Sequence, residues 1–320
     1  MTASARVMVP IEVNASMIKT GTTIPEPDLA NGEVAWVSGG NYAADDRRTY
    51  QGGMWVCLLA HTGRSTAPDL DAKYWYREGP TNRMAPFDDY SNTKVVSTGS
   101  LTYVFQPGFL NGLAVYGMEG SNYNVVVRDG SGGAVIRSWS GDLYSQAAGF
   151  YELLFSTLTP TEQVSFDDIP ISPNAEVTVT VTAAAGARVA IGTIKVGDWR
   201  QFIGDGRRGG TQYGAESNRK SYTLRQYNLD GTYKVTRRPA SRDVTCNIVI
   251  DAEQAMNADA ILGDIMDMAV PFEASGLPQY GYLNTLGFVS GSIRADSAGT
   301  TSINLKVEGN IQWQLLLSHH

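Results

Sequence analysis

The run Glu176-Val177-Thr178-Val179-Thr180-Val181-Thr182 alternates apolar and hydroxyl side chains residue by residue. Only an extended backbone puts all the valines on one face and all the threonines on the other. A helix would scatter them around its circumference. This is the clearest half-buried strand in the chain, and runs of the same kind surround it at 101–105, 112–116, 123–128, 134–139, 150–155, 164–166 and 189–196. Turn residues such as Asp129-Gly130-Ser131-Gly132-Gly133 separate them. About eight short strands at this spacing, with no helical stripe among them, predict a β-sandwich of jelly-roll type over 85–200.

Beyond that region the pattern changes. Runs at 222–227 and 233–238 flank Asn228-Leu229-Asp230-Gly231, a hairpin signal. A strand at 243–250 leads to Asp251, placed to cap a helix with Gln254 three positions on. Ala252, Ala255, Met256, Ile261, Leu262, Ile265, Met266 and Ala269 then form an apolar stripe, predicting one helix over about 251–269. Strands return at 270–272, 282–289, 291–294 and 302–307. Residues 201–320 therefore form a β-rich domain with one helix.

Ahead of the sandwich lie two further segments. Residues 1–31 hold a strand at 7–13 and a stretch rich in Pro and Gly, an arm or linker expected to dock on another domain or a partner chain. Residues 32–80 crowd Trp36, Tyr42, Tyr50, Trp55, Tyr74, Trp75 and Tyr76 into about forty positions. Apolar and aromatic residues alternate from Tyr50 to Cys57 around Gly52-Gly53, as in a hairpin whose turn needs positive φ. So short a segment cannot bury all those rings in a conventional core, so some are expected to face water. A flat ring in water can stack on the C–H face of a sugar while neighbouring polar groups bind its hydroxyls. The same rings also suit the miniature core of a three-stranded module.

Composition narrows the function classes. The chain has 34 Gly, 13 Pro and only 18% charged residues, with a net charge of −7. A nucleic-acid binder would need a concentrated basic face, so nucleic acid is not an expected partner. Cys57 and Cys246 are far apart and read as buried apolar thiols rather than a disulfide. The N-terminus has no signal-peptide pattern and no run approaches a membrane span, so a soluble product without membrane insertion is expected. With three histidines, two of them His319 and His320 at the C-terminus, neither a His-centred triad nor a His metal cluster can be assembled. The acidic pairs Asp45-Asp46, Asp88-Asp89 and Asp167-Asp168 point to opposite faces if extended, and read as turns, helix caps or Arg partners rather than paired catalytic acids. Asp69, Asp71, Asp88 and Asp89 lack calcium-loop spacing. Gly204-Asp205-Gly206-Arg207-Arg208-Gly209 matches a dinucleotide fingerprint by letter, but no helix pattern follows. No cofactor, no metal and no enzyme activity is expected.

The front segment carries a family likeness. An aromatic, an acidic pair, Tyr50-Gln51-Gly52-Gly53-Met54-Trp55-Val56, Gly63 with Pro68, and a closing Tyr74-Trp75 resemble the small chitin-binding-type carbohydrate-binding modules of bacterial chitinases. Similar modules are common at the front of tail and baseplate proteins of tailed bacteriophages. The likeness spans about 32–78 and implies that Trp36, Tyr42 and Trp75 contact sugar. Trp55, which stands where the family commonly has Tyr, joins them as a candidate. The sandwich is similar in pattern to galactose-binding-type domains, and the C-terminal domain to the tail-tube-like folds that form rings. Together these likenesses imply a siphophage-like tail-tip or baseplate protein, a virion component made in the host cytoplasm. It would bind host-surface polysaccharide weakly through many copies, form a homo-oligomer and contact other tail proteins. A purely architectural baseplate protein and a polysaccharide depolymerase are the alternatives.

Overall fold

The computed structural model describes residues 5–89, 93–144, 161, 163–204, 210–237 and 240–309, and the chain is mainly β. The Val/Thr alternation is realised in strand Ala175–Thr182, where Val177, Val179 and Val181 are fully buried. It sits between Ser100–Phe105 and Asn122–Asp129, and Val135–Asp142 completes a four-stranded sheet. Its valines pack with Leu101, Tyr103, Phe105, Val125 and Val127 of this sheet and with Leu113, Val115, Ile194 and Val196 of a second. The two layers make the sandwich. The arm covers one exposed edge: Lys19 N donates to Val104 O and Thr23 N to Thr102 O, both at 2.8 Å. A covered edge cannot pair with a stray strand.

The second layer belongs to a larger, ten-stranded antiparallel sheet. Its order is Gln163–Phe166, Gly112–Tyr116, Thr193–Gln201, Arg6–Pro10, Ala269–Glu273, Asn284–Ala295, Thr300–Gly309, Ala240–Asp251 and Gly210–Thr211, with Glu216–Ser221 also paired to Ala240–Asp251. The sheet therefore continues across the expected boundary between 85–200 and 201–320. The N-terminal strand joins the two sides, with Arg6 opposite Gln201 on one flank and Glu273 on the other. Arg6 Nε donates to Glu273 Oε2 at 2.7 Å and also binds Asp167, while Ser165 Oγ donates to Glu273 Oε1 at 2.6 Å. A buried carboxylate with these partners ties arm, sandwich and C-terminal region together.

A separate core lies on the C-terminal side, where Val244, Cys246, Ile248, Ile250, Ile303, Leu305, Val307 and Phe272 meet the helix through Ala258, Ile261 and Ile265. This helix, α1, spans Ala255–Asp264 after a 3-10 turn at Ala252–Gln254, so it is shorter than the expected 251–269. Asp267 takes a left-handed φ of 65° and Ala269 already starts the next strand. The Asp251 side chain makes no capping hydrogen bond. Met256 and Met266, expected on the buried stripe, are 87% and 61% exposed. So short a helix lays only one narrow line of residues on the sheet.

The front segment is a three-stranded sheet, Arg47–Tyr50, Gly53–Cys57 and Trp75–Pro80, beside a short pair formed by Asn41–Tyr42 and His61–Thr62. Glu33, almost fully buried, accepts from Asp28 N at 2.8 Å and Asn82 N at 2.6 Å, and roots the module on the arm. The other hairpin forms as predicted, Leu224–Tyr227 against Tyr233–Thr236, but its strand residues are all exposed. Among the described residues no helix is long and apolar enough to cross a membrane. The run at 150–155, residues 205–209 of the glycine-rich loop and the end of the chain from 310 lie outside the described residues.

Candidate functional site

The front hairpin turns through Gln51 and Gly52, at φ 47° and 74°, so Gly53 is not needed for the turn and lies in the strand. Its lack of a side chain serves Trp55. A Cβ at position 53 would stand 2.9 Å from Trp55 Nε1 and 3.2 Å from Arg77 Nε, so indole and guanidinium lie together over the bare backbone. Trp55 Nε1 donates to Tyr50 O at 3.2 Å, which fixes the ring. Directly opposed residues share a sheet face, so Arg48, Trp55 and Arg77 form one row across the strands, with Cys57 and Trp75 in the next row on that face.

That face corrects half of the sequence expectation. Trp75 is 1% and Tyr42 7% exposed, so neither ring can stack on a sugar. Their centroids are 5.0 Å apart at 76°, an edge-to-face pair. Val37 N donates to the Tyr42 hydroxyl at 2.7 Å, and that hydroxyl donates to Val37 O at 2.8 Å. His61 packs edge-on against Tyr74 and Trp75, with its Nδ1 3.0 Å from Leu59 O. The physical reason is size. A sheet of three short strands has one face to cover, and only aromatic rings are large enough to cover it from so few positions.

Trp36 and Trp55 are half-buried and lean on the Tyr42–Cys57–Trp75 cluster from its rim. Trp36 meets Tyr50 edge-on at 5.4 Å. Tyr74 completes the rim, but the Arg64 guanidinium covers its face at 3.9 Å while paired with Asp71 at 2.8 Å. The water-facing aromatic surface of this face therefore includes the exposed parts of Trp36, Tyr50 and Trp55. Tyr76, 46% exposed, lies on the opposite face beside Val56. Sequence reasoning missed Arg77, whose signal was its position opposite Trp55 in a hairpin extended by a third strand.

Arg77 also borders a cleft of about 530 Å³ between the module, the end of the N-terminal strand and the sandwich. Its charged lining is Glu12, Arg77, Glu78, Asp88, Asp89 and Lys195, and its apolar lining includes Met84 and Phe87. Three of the four carboxylates are engaged: Lys195 Nζ reaches Asp89 Oδ1 at 2.5 Å, Arg47 reaches Glu78 at 2.7 Å, and the Thr93 hydroxyl donates to Asp88 at 3.0 Å. The other acidic pairs have cationic partners, Asp45-Asp46 in a turn and Asp167-Asp168 in irregular backbone: Asp46 binds Arg48, Asp167 binds Arg6 and Asp168 binds Arg137. Among the described residues no cluster of His, Cys, Asp and Glu could hold a metal ion. Cys57 and Cys246 are free and buried in different cores, and burial pushes the Cys246 thiol up to about 12. Chemically the arrangement offers a ring edge and guanidinium donors leading into a polar cleft, which suits reversible contact with a polyhydroxylated chain.

Comparison with protein-family models, curated proteins and solved structures finds no match to this chain.

Proposed function

We propose that this chain is a structural protein of a tailed-phage tail tip or baseplate that touches host-surface polysaccharide weakly through residues 32–80. What supports the sugar contact is the half-exposed Trp55 held beside Arg77 over Gly53, with Trp36 on the same rim. So small an aromatic surface gives a weak single site. Many copies on one particle raise its effective strength, because a tethered module rebinds before it diffuses away. The test is adsorption of the full chain to isolated host cell-wall polysaccharide. Trp55→Ala with Arg77→Ala weakens adsorption about tenfold, or about 1.4 kcal/mol, whereas Tyr76→Ala on the opposite face leaves it unchanged. Equal adsorption by all three proteins contradicts the reading.

The burial of Tyr42 and Trp75 favours a second reading, in which the module is purely architectural and its rings serve only as a core. That reading predicts no adsorption by the native chain. A depolymerase is less well supported, because Asp89 is paired with Lys195 and Glu78 with Arg47, so neither is set to face a substrate as half of an opposed carboxylate pair. Release of sugar fragments by the native protein would reverse that order.

A further inference from the structure

Residues 217–238 carry Arg219, Lys220, Arg225, Lys234, Arg237 and Arg238 against a single acid, Asp230, in a chain whose net charge is −7. This basic island contains the exposed hairpin. Tyr227 is 70% and Tyr233 60% exposed, Leu229 at the tip is bare, and Leu224 and Val235 are exposed on opposite faces. A two-stranded ribbon with both faces in water is marginal by itself, and a row of exposed apolar side chains marks a contact surface. Among the described residues, Arg219, Arg225, Lys234 and Arg237 take part in no ion pair.

The complementary surface is on the same molecule. Residues 251–268, around helix α1, hold Asp251, Glu253, Asp259, Asp264 and Asp267 and no cation. Met256, Met266 and Met268 are exposed among them. Glu253, Asp259, Asp264 and Asp267 are exposed and also take part in no ion pair. Thioethers are soft partners for phenol rings, and the acids oppose the hairpin's cations. Yet the chain cannot close this contact on itself. The hairpin leads into the start of strand Ala240–Asp251 and the helix leaves from its end. Its twelve extended residues put the two surfaces roughly 40 Å apart.

We propose that the 224–236 hairpin of one copy docks on the acidic, methionine-bearing helix surface of a second copy. This names the assembly contact of the reading above and rests on it. Because the two surfaces differ and sit at opposite ends of one strand, the contact is heterologous and runs head to tail, giving a ring if it closes and a filament if it does not.

The test is light-scattering mass against concentration for the full chain in moderate salt. Arg225→Glu with Lys234→Glu, and separately Asp259→Lys with Asp264→Lys, each raise the concentration needed for assembly at least about tenfold. All four changes in one chain bring it back to near the native value. A covalent readout guards against misfolding: a bifunctional maleimide joins Leu229→Cys chains to Met256→Cys chains when they are mixed. Native chain that stays monomeric at every concentration overturns both the contact and the assembly reading. Native chain that assembles while both charge-reversed pairs assemble equally well, or while the four-fold variant fails to recover, overturns the contact alone.

Discussion

The molecule contains two hairpins of similar size and ring content that have opposite fates. The front one, Arg47–Tyr50 with Gly53–Cys57, gains a third strand, Trp75–Pro80, and buries Tyr42 and Trp75 against it. The back one, Leu224–Tyr227 with Tyr233–Thr236, has exposed residues on both faces, and Tyr227 and Tyr233 meet each other at 5.8 Å. Both turn through residues at positive φ, Gln51 and Gly52 in one and Gly231 in the other. Ring content therefore does not decide which aromatics face water. A third strand and a covered face decide it: they bury Tyr42 and Trp75 at the front, while Tyr227 and Tyr233 at the back stay exposed.

The largest test of that contrast removes a ring from the front core. Trp75→Ala costs the front module about 3–5 kcal/mol, because the cavity it leaves cannot be refilled from so small a core. Urea denaturation of the full chain checks this, and a loss under about 1 kcal/mol would mean that the ring is not the core. Next comes Gly53→Ala, which forces the Trp55 indole off its seat and costs about 1–3 kcal/mol by overpacking. It also weakens polysaccharide adsorption without removing any ring, and adsorption at the native level would break the link between the seat and the site.

A smaller effect separates the sandwich core from both hairpins. Tyr103 is fully buried there, its hydroxyl has no hydrogen-bond partner among the described residues, and burial pushes its phenol above the usual tyrosine range. The unfolded chain releases this proton near pH 10 and the folded chain holds it. Its contribution to stability is therefore intact below about pH 10 and declines above it, by about 1.4 kcal/mol per pH unit. Tyr103→Phe removes that part of the alkaline loss and stabilises the fold by about 1 kcal/mol at neutral pH, as urea midpoints at pH 8 and 11 would record. Smallest of all, Tyr227→Ser with Tyr233→Ser changes the stability of the dilute chain by under about 0.5 kcal/mol. A larger loss would mean that the back hairpin is packed within its own chain.

Much of this architecture was legible in local pattern. Period-two alternation located strands such as Ala175–Thr182, and Asn228–Gly231 marked the back turn. What local pattern could not supply was long-range pairing. Arg6 and Glu273 are 267 positions apart, and their pairing carries one sheet through what composition suggests is a domain boundary. The helix is shorter than its apolar stripe implies because Met256 and Met266 fit the spacing but face solvent, and only the line through Ala258, Ile261 and Ile265 is buried. At the candidate site, Trp36 and Trp55 remain partly open, whereas Tyr42 and Trp75 do not. Alternation assigns residues to a face but cannot say whether solvent or other rings cover it.

Amide hydrogen exchange followed at rising protein concentration tests the contrast most directly. The account predicts that amides of Gly53–Cys57 stay protected at every concentration, while those of 224–236 exchange freely in dilute protein and become protected as copies associate. Protection of 224–236 that is already complete in the dilute chain, or that never changes with concentration, would contradict it.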